Sequence, residues 1–140
     1  MKTLFETRAT AVGGRNGHVK SEDGILDLDV RVPTGMGGNG GGFTNPEQLF
    51  AAGYSACFDN AIIHVAAMKK VKIQSQTTAT VGLAMTDDKS YQLTVALDVT
   101  IQGADQATAE EIVTTAHATC PYSNAIKGNV DVNIHVTTEA

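Results

Sequence analysis

The chain has 140 residues and a mass of 14.6 kDa, the size of one domain, and a single domain over residues 1–140 is expected. A net charge of −5 and a pI near 5.2 exclude a nucleic-acid binder, which needs a basic surface to displace counterions from phosphates. With 42% apolar and 18% charged residues the chain reads as globular, and with 5% aromatics and no Trp it offers no base-stacking platform.

Residues 1–8 carry no apolar h-region, so no signal peptide is expected. The longest apolar stretch, residues 49–68, contains Asp59, Asn60 and His64, which argues against a transmembrane helix. The expectation is a cytoplasmic protein. There disulfides are seldom structural, so Cys57 and Cys120, the two cysteines, are inert, metal-bound or redox-active.

Residues 4–12 predict a first strand, ended by the turn Gly13-Gly14-Arg15-Asn16-Gly17. Residues 18–21 predict a second, closed by Glu22-Asp23-Gly24. Leu26, Leu28, Val30 and Val32 then alternate with Asp27, Asp29 and Arg31, the period of a half-exposed strand. Residues 33–42 hold six glycines and read as a flexible connector. Thr44-Asn45-Pro46-Glu47 starts a helix. Thr44 or Asn45 can cap it, Pro46 suits its first turn, and Glu47 can complete a capping box.

The helix runs to about Met68, and its small and apolar side chains cover nearly every face, so it should be buried all round. Two longer strands follow, over residues 73–85 and 91–101, joined by a turn at Asp87-Asp88-Lys89. Asp105 opens a second helix that Cys120-Pro121 must interrupt. A short helical turn over residues 123–127 and a last strand with Val130, Val132, Ile134 and Val136 on one face complete a βββ-α-ββ-α-β order. The class is α+β. A central helix too apolar for one small sheet to hide points to a homodimer that covers it from both sides.

Gly35-Met36-Gly37-Gly38-Asn39-Gly40 matches G-x-G-x-x-G, but no helix opens within it and no βαβ unit surrounds it, so it reads as a hinge loop. His117 and Cys120 have the spacing of half a zinc site, with Cys57 and His64 as the other half, yet no tight second pair exists. His117 reads more simply as a helix-terminal histidine facing the dipole. His64 reads as a core histidine, and His18 and His135 as exposed strand residues.

Cys57 stands either as a small buried hydrophobe or as a reactive thiol. Its neighbours Gly53, Ser55 and Ala56 leave room beside the sulfur, and a second cysteine stands at a helix break. About three turns inside its helix, Cys57 gains little from the dipole, so a reactive thiolate there needs a nearby cation. Arg15 has the rigid fork for that work and Glu47 could hold the fork; a solvated turn residue and a capping-box glutamate are the simpler readings of the two.

Three stretches carry a family likeness. Residues 44–58, TNPEQLFAAGYSACF, resemble the first motif of the organic hydroperoxide resistance (Ohr) branch of the Ohr/OsmC family. HATCPYS at 117–123 with Gly128-Asn129-Val130 resembles the second, and the Gly13–Gly17 turn resembles the arginine-bearing turn. Tyr122 in the CPYS run favours the Ohr branch over the osmotically induced one. Lys127 stands where the pattern carries arginine.

The resemblance implies an intertwined homodimer with two active sites between subunits. It implies a thiol peroxidase for organic hydroperoxides, with Cys57 as the peroxidatic cysteine, Cys120 as the resolving one, and Arg15 and Glu47 as the activating pair. The implied reductant is a dithiol, dihydrolipoamide or a lipoylated protein, with no bound cofactor and no metal. The competing reading on the same residues is a non-catalytic redox sensor, and a third is a zinc-binding or small-ligand scaffold.

Overall fold

The computed structural model describes residues 1–39 and 41–140; Gly40, the last glycine of the G-x-G-x-x-G run, lies outside them. Contacts divide the chain into two units, Met1–Leu49 and Phe50–Ala140.

The first unit holds β1 (Ala9–Val12), a 3-10 turn at Gly14–Asn16, β2 (His18–Ser21) and β3 (Asp27–Asp29), paired antiparallel in the order β1-β2-β3. Two strands are shorter than their sequence patterns. β1 begins at Ala9 because its partner there is Ser21, the last residue of β2 before the chain turns. That turn is tightly tied. Ser21 Oγ donates to Asp23 at 2.6 Å and accepts the Leu26 N–H at 2.9 Å, while Asp23 accepts the Ile25 N–H at 3.0 Å. β3 ends at Asp29; Val30 still donates to the in-register Gly17 carbonyl at 2.9 Å and gains a second neighbour, a parallel bridge with Thr44. The expected shared face is accordingly uneven: Val30 is buried, whereas Leu26 and Leu28 are exposed.

His18 is more than an exposed strand residue. Its Nδ1 lies 2.7 Å from Asp29 on β3, and its Nε2 bonds Asp27. The bond to Asp29, then that to Asp27, raises the His18 pKa, and the bond to His18 lowers that of Asp29. The histidine's contribution is therefore complete below its unfolded value of about 6.5 and fades as pH rises through the folded value. The Asp29 contribution is held above its unfolded value of about 3.9 and fades as pH falls through the folded one. The clasp is solvent-exposed, hence small and salt-sensitive. Intrinsic-rate-corrected hydrogen exchange at β2–β3 amides should show more protection at pH 5.5 than at 8.5. His18→Gln should erase that difference; equal protection in the native chain would contradict the assignment.

The connector is not featureless over its described first half. Met36, Gly37 and Gly38 donate to Pro33, Thr34 and Pro33 carbonyls at 3.0, 3.0 and 3.1 Å, forming a 3-10 turn at Thr34–Met36.

Helix α1 spans Pro46–Met68. Asn45 is its cap, accepting the Gln48 N–H at 2.8 Å. That makes Gln48, not Glu47, the third helical residue, so the expected capping box at Glu47 does not form and its carboxylate is free for another partner. Along α1 one stripe is buried: Tyr54, Phe58, Ile62, Val65 and Ala66, at the spacing of a single helix face. The all-round burial expected from composition is not met within the chain, where Ile63 and Met68 are exposed. His64 is exposed too, on the opposite side from the stripe, so the core-histidine reading is corrected.

The second unit contains β4 (Gln74–Met85), β5 (Tyr91–Gln102), α2 (Gln106–Thr119), α3 (Pro121–Ile126) and β6 (Val132–Glu139). The sheet order is β4-β5-β6, antiparallel across β4–β5 and parallel across β5–β6. Parallel strands need a crossover, and α2 and α3 supply it. Asp105 caps α2, accepting the Thr108 N–H at 2.8 Å. The short helix α3 starts two residues before its predicted place because Pro121, lacking a donor, suits a first helical position.

The core joins Val95, Leu97, Val99 and Ile101 of β5 to the α1 stripe and to Ala109, Ile112, Val113 and Ala116 of α2. Asp59 fastens α1 to β4 by accepting from Ser75 and Thr77, both at 2.9 Å. No helix among the described residues is long and apolar enough to cross a membrane.

Candidate active site

The two cysteines meet in the second unit. Cys57 lies in α1, one turn beyond the buried Tyr54. Cys120 lies where α2 gives way to α3, with an extended backbone (φ −64°, ψ 125°) that the following proline enforces. Their sulfurs are 3.7 Å apart, a contact between two free thiols and well beyond the bond length of about 2.05 Å. Cys120 is fully buried and Cys57 half-buried, so Cys57 is the one of the two that an incoming molecule can reach.

Burial pushes the Cys57 thiol up; the Tyr122 backbone N–H, at the head of α3, pulls the other way, and the neighbouring Cys120 raises it again. The second unit on its own thus keeps Cys57 a thiol. A thiolate requires positive charge from elsewhere.

The first unit holds an ion pair of its own. Arg15, on the 3-10 turn, forms a two-pronged pair with Glu47: Nη1 to Oε2 at 3.0 Å and Nη2 to Oε1 at 2.8 Å. Glu47 raises the Arg15 pKa further, chiefly through this bond, so the guanidinium is permanently charged. The turn is built for it. Gly13 sits at φ +83°, and a Cβ on Gly17 would stand 1.7 Å from the Val12 carbonyl oxygen, so neither position takes a side chain without distortion. A second arginine braces the turn. Arg31 Nη1 donates to the Gly17 and Val30 carbonyls at 2.9 and 2.7 Å while its guanidinium lies 4.8 Å over the Phe43 ring. The sequence reading overlooked Arg31, which it placed on the polar face of a strand.

It also overlooked a hydrogen-bonded chain around the cysteines. Tyr54 Oη and Ser123 Oγ are 2.6 Å apart, and Ser123 Oγ and His117 Nδ1 are 2.9 Å apart. Tyr54 and Ser123 are buried; His117 is half-exposed. The available signal was spacing: Tyr54 precedes Cys57 by three residues, while His117 and Ser123 stand three before and three after Cys120. His117 does lie in the last turn of α2, as expected, but its ring nitrogen is engaged by Ser123. Among the described residues no group of three or more His, Cys, Asp or Glu is placed to hold a metal ion. Beside this chain, Phe50, Tyr54 and Tyr122 pack edge-on or tilted at 5.7–6.1 Å. Gly53 admits the Tyr122 ring, since a Cβ there would stand 2.8 Å from its hydroxyl.

The OsmC-like protein family model matches residues 37–135, which includes both cysteines. The chain is 46% identical over 135 residues to organic hydroperoxide resistance protein OhrA of Bacillus subtilis, covering 95% of this chain and 96% of that one. It is 44% identical over 134 residues to OhrB of the same organism, covering 95% and 98%. The chain belongs to the OsmC-like family, in its organic hydroperoxide resistance branch. A crystal structure of an organic hydroperoxide resistance protein from Legionella pneumophila superposes on this Ohr/OsmC chain with a TM-score of 0.93 and 52% identity, covering 97% of this chain and 99% of that one. The resemblance read from TNPEQLFAAGYSACF and HATCPYS is therefore borne out, as is the α+β class with its βββ-α-ββ-α-β order, in which α3 extends the second helical segment.

Proposed function

We propose that this Ohr/OsmC chain is a cytoplasmic thiol peroxidase that reduces organic hydroperoxides to alcohols. The observation that carries the reading is the thiol pair itself: one half-exposed sulfur, one buried sulfur, 3.7 Å apart across two different helical segments. The Cys57 thiolate attacks the distal peroxide oxygen, the O–O bond breaks, and the alkoxide leaves and takes a proton to become the alcohol. Cys57 becomes a sulfenic acid. Cys120 then displaces its hydroxyl, which leaves as water, and the Cys57–Cys120 disulfide protects the sulfur from further oxidation. A dithiol, dihydrolipoamide or a lipoylated protein, reduces the disulfide by exchange.

Arg15, held by Glu47, supplies the charge that stabilises the Cys57 thiolate and the growing negative charge on the leaving oxygen. The names of the Bacillus relatives and the paired geometry of Arg15 and Glu47 support this reading. The chemistry needs no metal and no bound cofactor. The working form in this reading is a homodimer. All four residues of β1 and all three of β3 are exposed in the chain, as are Ile63 and Met68 of α1.

The test is peroxide consumption under dihydrolipoamide. A peroxidase consumes many equivalents per subunit; a redox sensor oxidises once and stops, and that outcome would replace this reading. Substrate choice gives a second prediction. Gly53 and Ala61, one turn before and after Cys57, carry no bulk, and Ala52 and Ala56 are exposed beside it, so an alkyl tail reaching the sulfur meets apolar surface. Burying three or four methylenes at about 0.8 kcal/mol each is worth roughly 2.5–3 kcal/mol, an upper bound of about a hundredfold in kcat/KM. A fatty-acid hydroperoxide should therefore exceed tert-butyl hydroperoxide, and both should exceed hydrogen peroxide. Equal rates for hydrogen peroxide and the fatty-acid compound would remove the apolar-surface argument and leave the cysteine chemistry standing.

A further inference from the structure

We infer that Tyr54, Ser123 and His117 form a clamp that holds Cys120 against Cys57, making all three positioning residues for disulfide closure. The inference rests on the peroxidase reading for its purpose, though not for its test.

The helix break at Cys120 creates the need. Between Thr119 and Pro121 the backbone leaves helical geometry, so the orientation of α3 to α2 is not fixed by a continuous hydrogen-bond ladder. One side-chain bond crosses the break, from His117 on α2 to Ser123 on α3 at 2.9 Å. The same Ser123 oxygen is 2.6 Å from Tyr54 Oη, on the α1 turn that carries Cys57. Three segments are thereby tied at one oxygen, each through a residue three positions from a cysteine. Tyr54 and Ser123 are shielded from water, so a broken link leaves a polar atom without a substitute partner. Burial also raises the Tyr54 pKa, which keeps the phenol protonated and able to donate.

The step the clamp serves is balanced. Cys57–SOH and Cys120–SH give the disulfide and water: the S–O bond breaks, the S–S bond forms, and the Cys120 proton leaves with the hydroxyl. The Cys120 sulfur is oxidised and the sulfenic sulfur reduced. Closure needs the sulfurs to approach from 3.7 Å to bonding distance, and a clamp that keeps them in contact raises their effective concentration.

The equilibrium constant for Cys57–Cys120 disulfide formation in a dithiothreitol redox buffer reads this directly and needs no peroxide. Tyr54→Phe, which keeps the ring and removes the hydroxyl, should lower the constant about tenfold, equivalent to a reduction potential about 30 mV less negative. His117→Leu, at a half-exposed position tolerant of change, should lower it similarly. His117→Asn, which keeps a hydrogen-bonding atom near Nδ1, should restore it to within about twofold. Ile62→Val, a core truncation of α1 away from the clamp, should leave it unchanged. Native values in both Tyr54→Phe and His117→Leu would overturn the clamp, and so would an equal loss in Ile62→Val, which would mark general loosening. A native chain that closes its disulfide normally but consumes no peroxide would sink the peroxidase reading while the clamp stands.

Discussion

A Cys57→Ser chain should consume no hydroperoxide under any dithiol, whereas Cys120→Ser should consume one equivalent per subunit to reach the sulfenic acid, at most a second to reach the sulfinate, and then stop. The asymmetry follows from access and order. Cys57 is half-exposed and can meet a peroxide; Cys120 is fully buried and can meet only Cys57. Without Cys120 the sulfenic acid has no partner, so continued peroxide carries it to sulfinate, which dithiols do not reverse. Mass spectrometry after one equivalent should find one added oxygen on the Cys57 peptide of Cys120→Ser, and a second oxygen after excess. The native chain under the same single equivalent should instead lose two hydrogens to the disulfide. If the two serine variants behave alike, the roles are not divided as stated.

Arg15→Ala should raise the Cys57 thiol pKa and slow the peroxide step. The second unit gives Cys57 burial and a neighbouring thiol, both of which favour the protonated form, against one backbone N–H. A nearby cation lowers such a pKa by roughly 1–3 units, so its loss should cut the thiolate fraction at neutral pH about ten- to a thousandfold. Arg15→Lys should recover part of this, because an ammonium keeps the charge and loses the two-pronged grip on Glu47. Glu47→Ala should act in the same direction more weakly, by releasing the guanidinium. An ultraviolet thiolate titration in which Arg15→Ala leaves Cys57 where it was would refute the activation.

The cysteines were legible because both stand in sequence contexts whose backbone consequences are strong: a small-residue helix around Cys57, and a proline that must break the helix after Cys120. The Arg15–Glu47 pair was legible as residue types but left open as roles. The sequence does not reveal that Asn45 takes the cap and moves the box position to Gln48; a shift of one residue decides whether Glu47 is occupied or free. The His64 error has a related origin. Composition makes α1 apolar everywhere, and only packing selects the stripe through Tyr54, Phe58 and Ile62 that turns His64 outward. The strand patterns overran because alternation reports side-chain polarity and not pairing: the β1 ladder ends opposite Ser21, where its neighbour turns away, and beyond Asp29 the backbone of Val30 and Arg31 engages Thr44. His117 was weighed as a zinc ligand and as a helix-terminal histidine, but its chain with Ser123 and Tyr54 escaped notice, because its meaning lies in three spacings measured from two cysteines far apart in sequence.

The parallel pairing of β5 with β6 imposes an order of events on each newly made chain. Cys120 rides on the crossover between those strands, and the crossover is complete only once β6 has been synthesised and laid against β5. Cys57 is made about 80 residues before the end of β6, an interval of roughly 4–16 s at ordinary translation speed. During that interval the nascent chain carries a peroxide-facing sulfur with no seated companion, so oxidant present during synthesis meets Cys57 in the one state that cannot close a disulfide. Damage to this protein under sustained stress should therefore be concentrated in its youngest molecules.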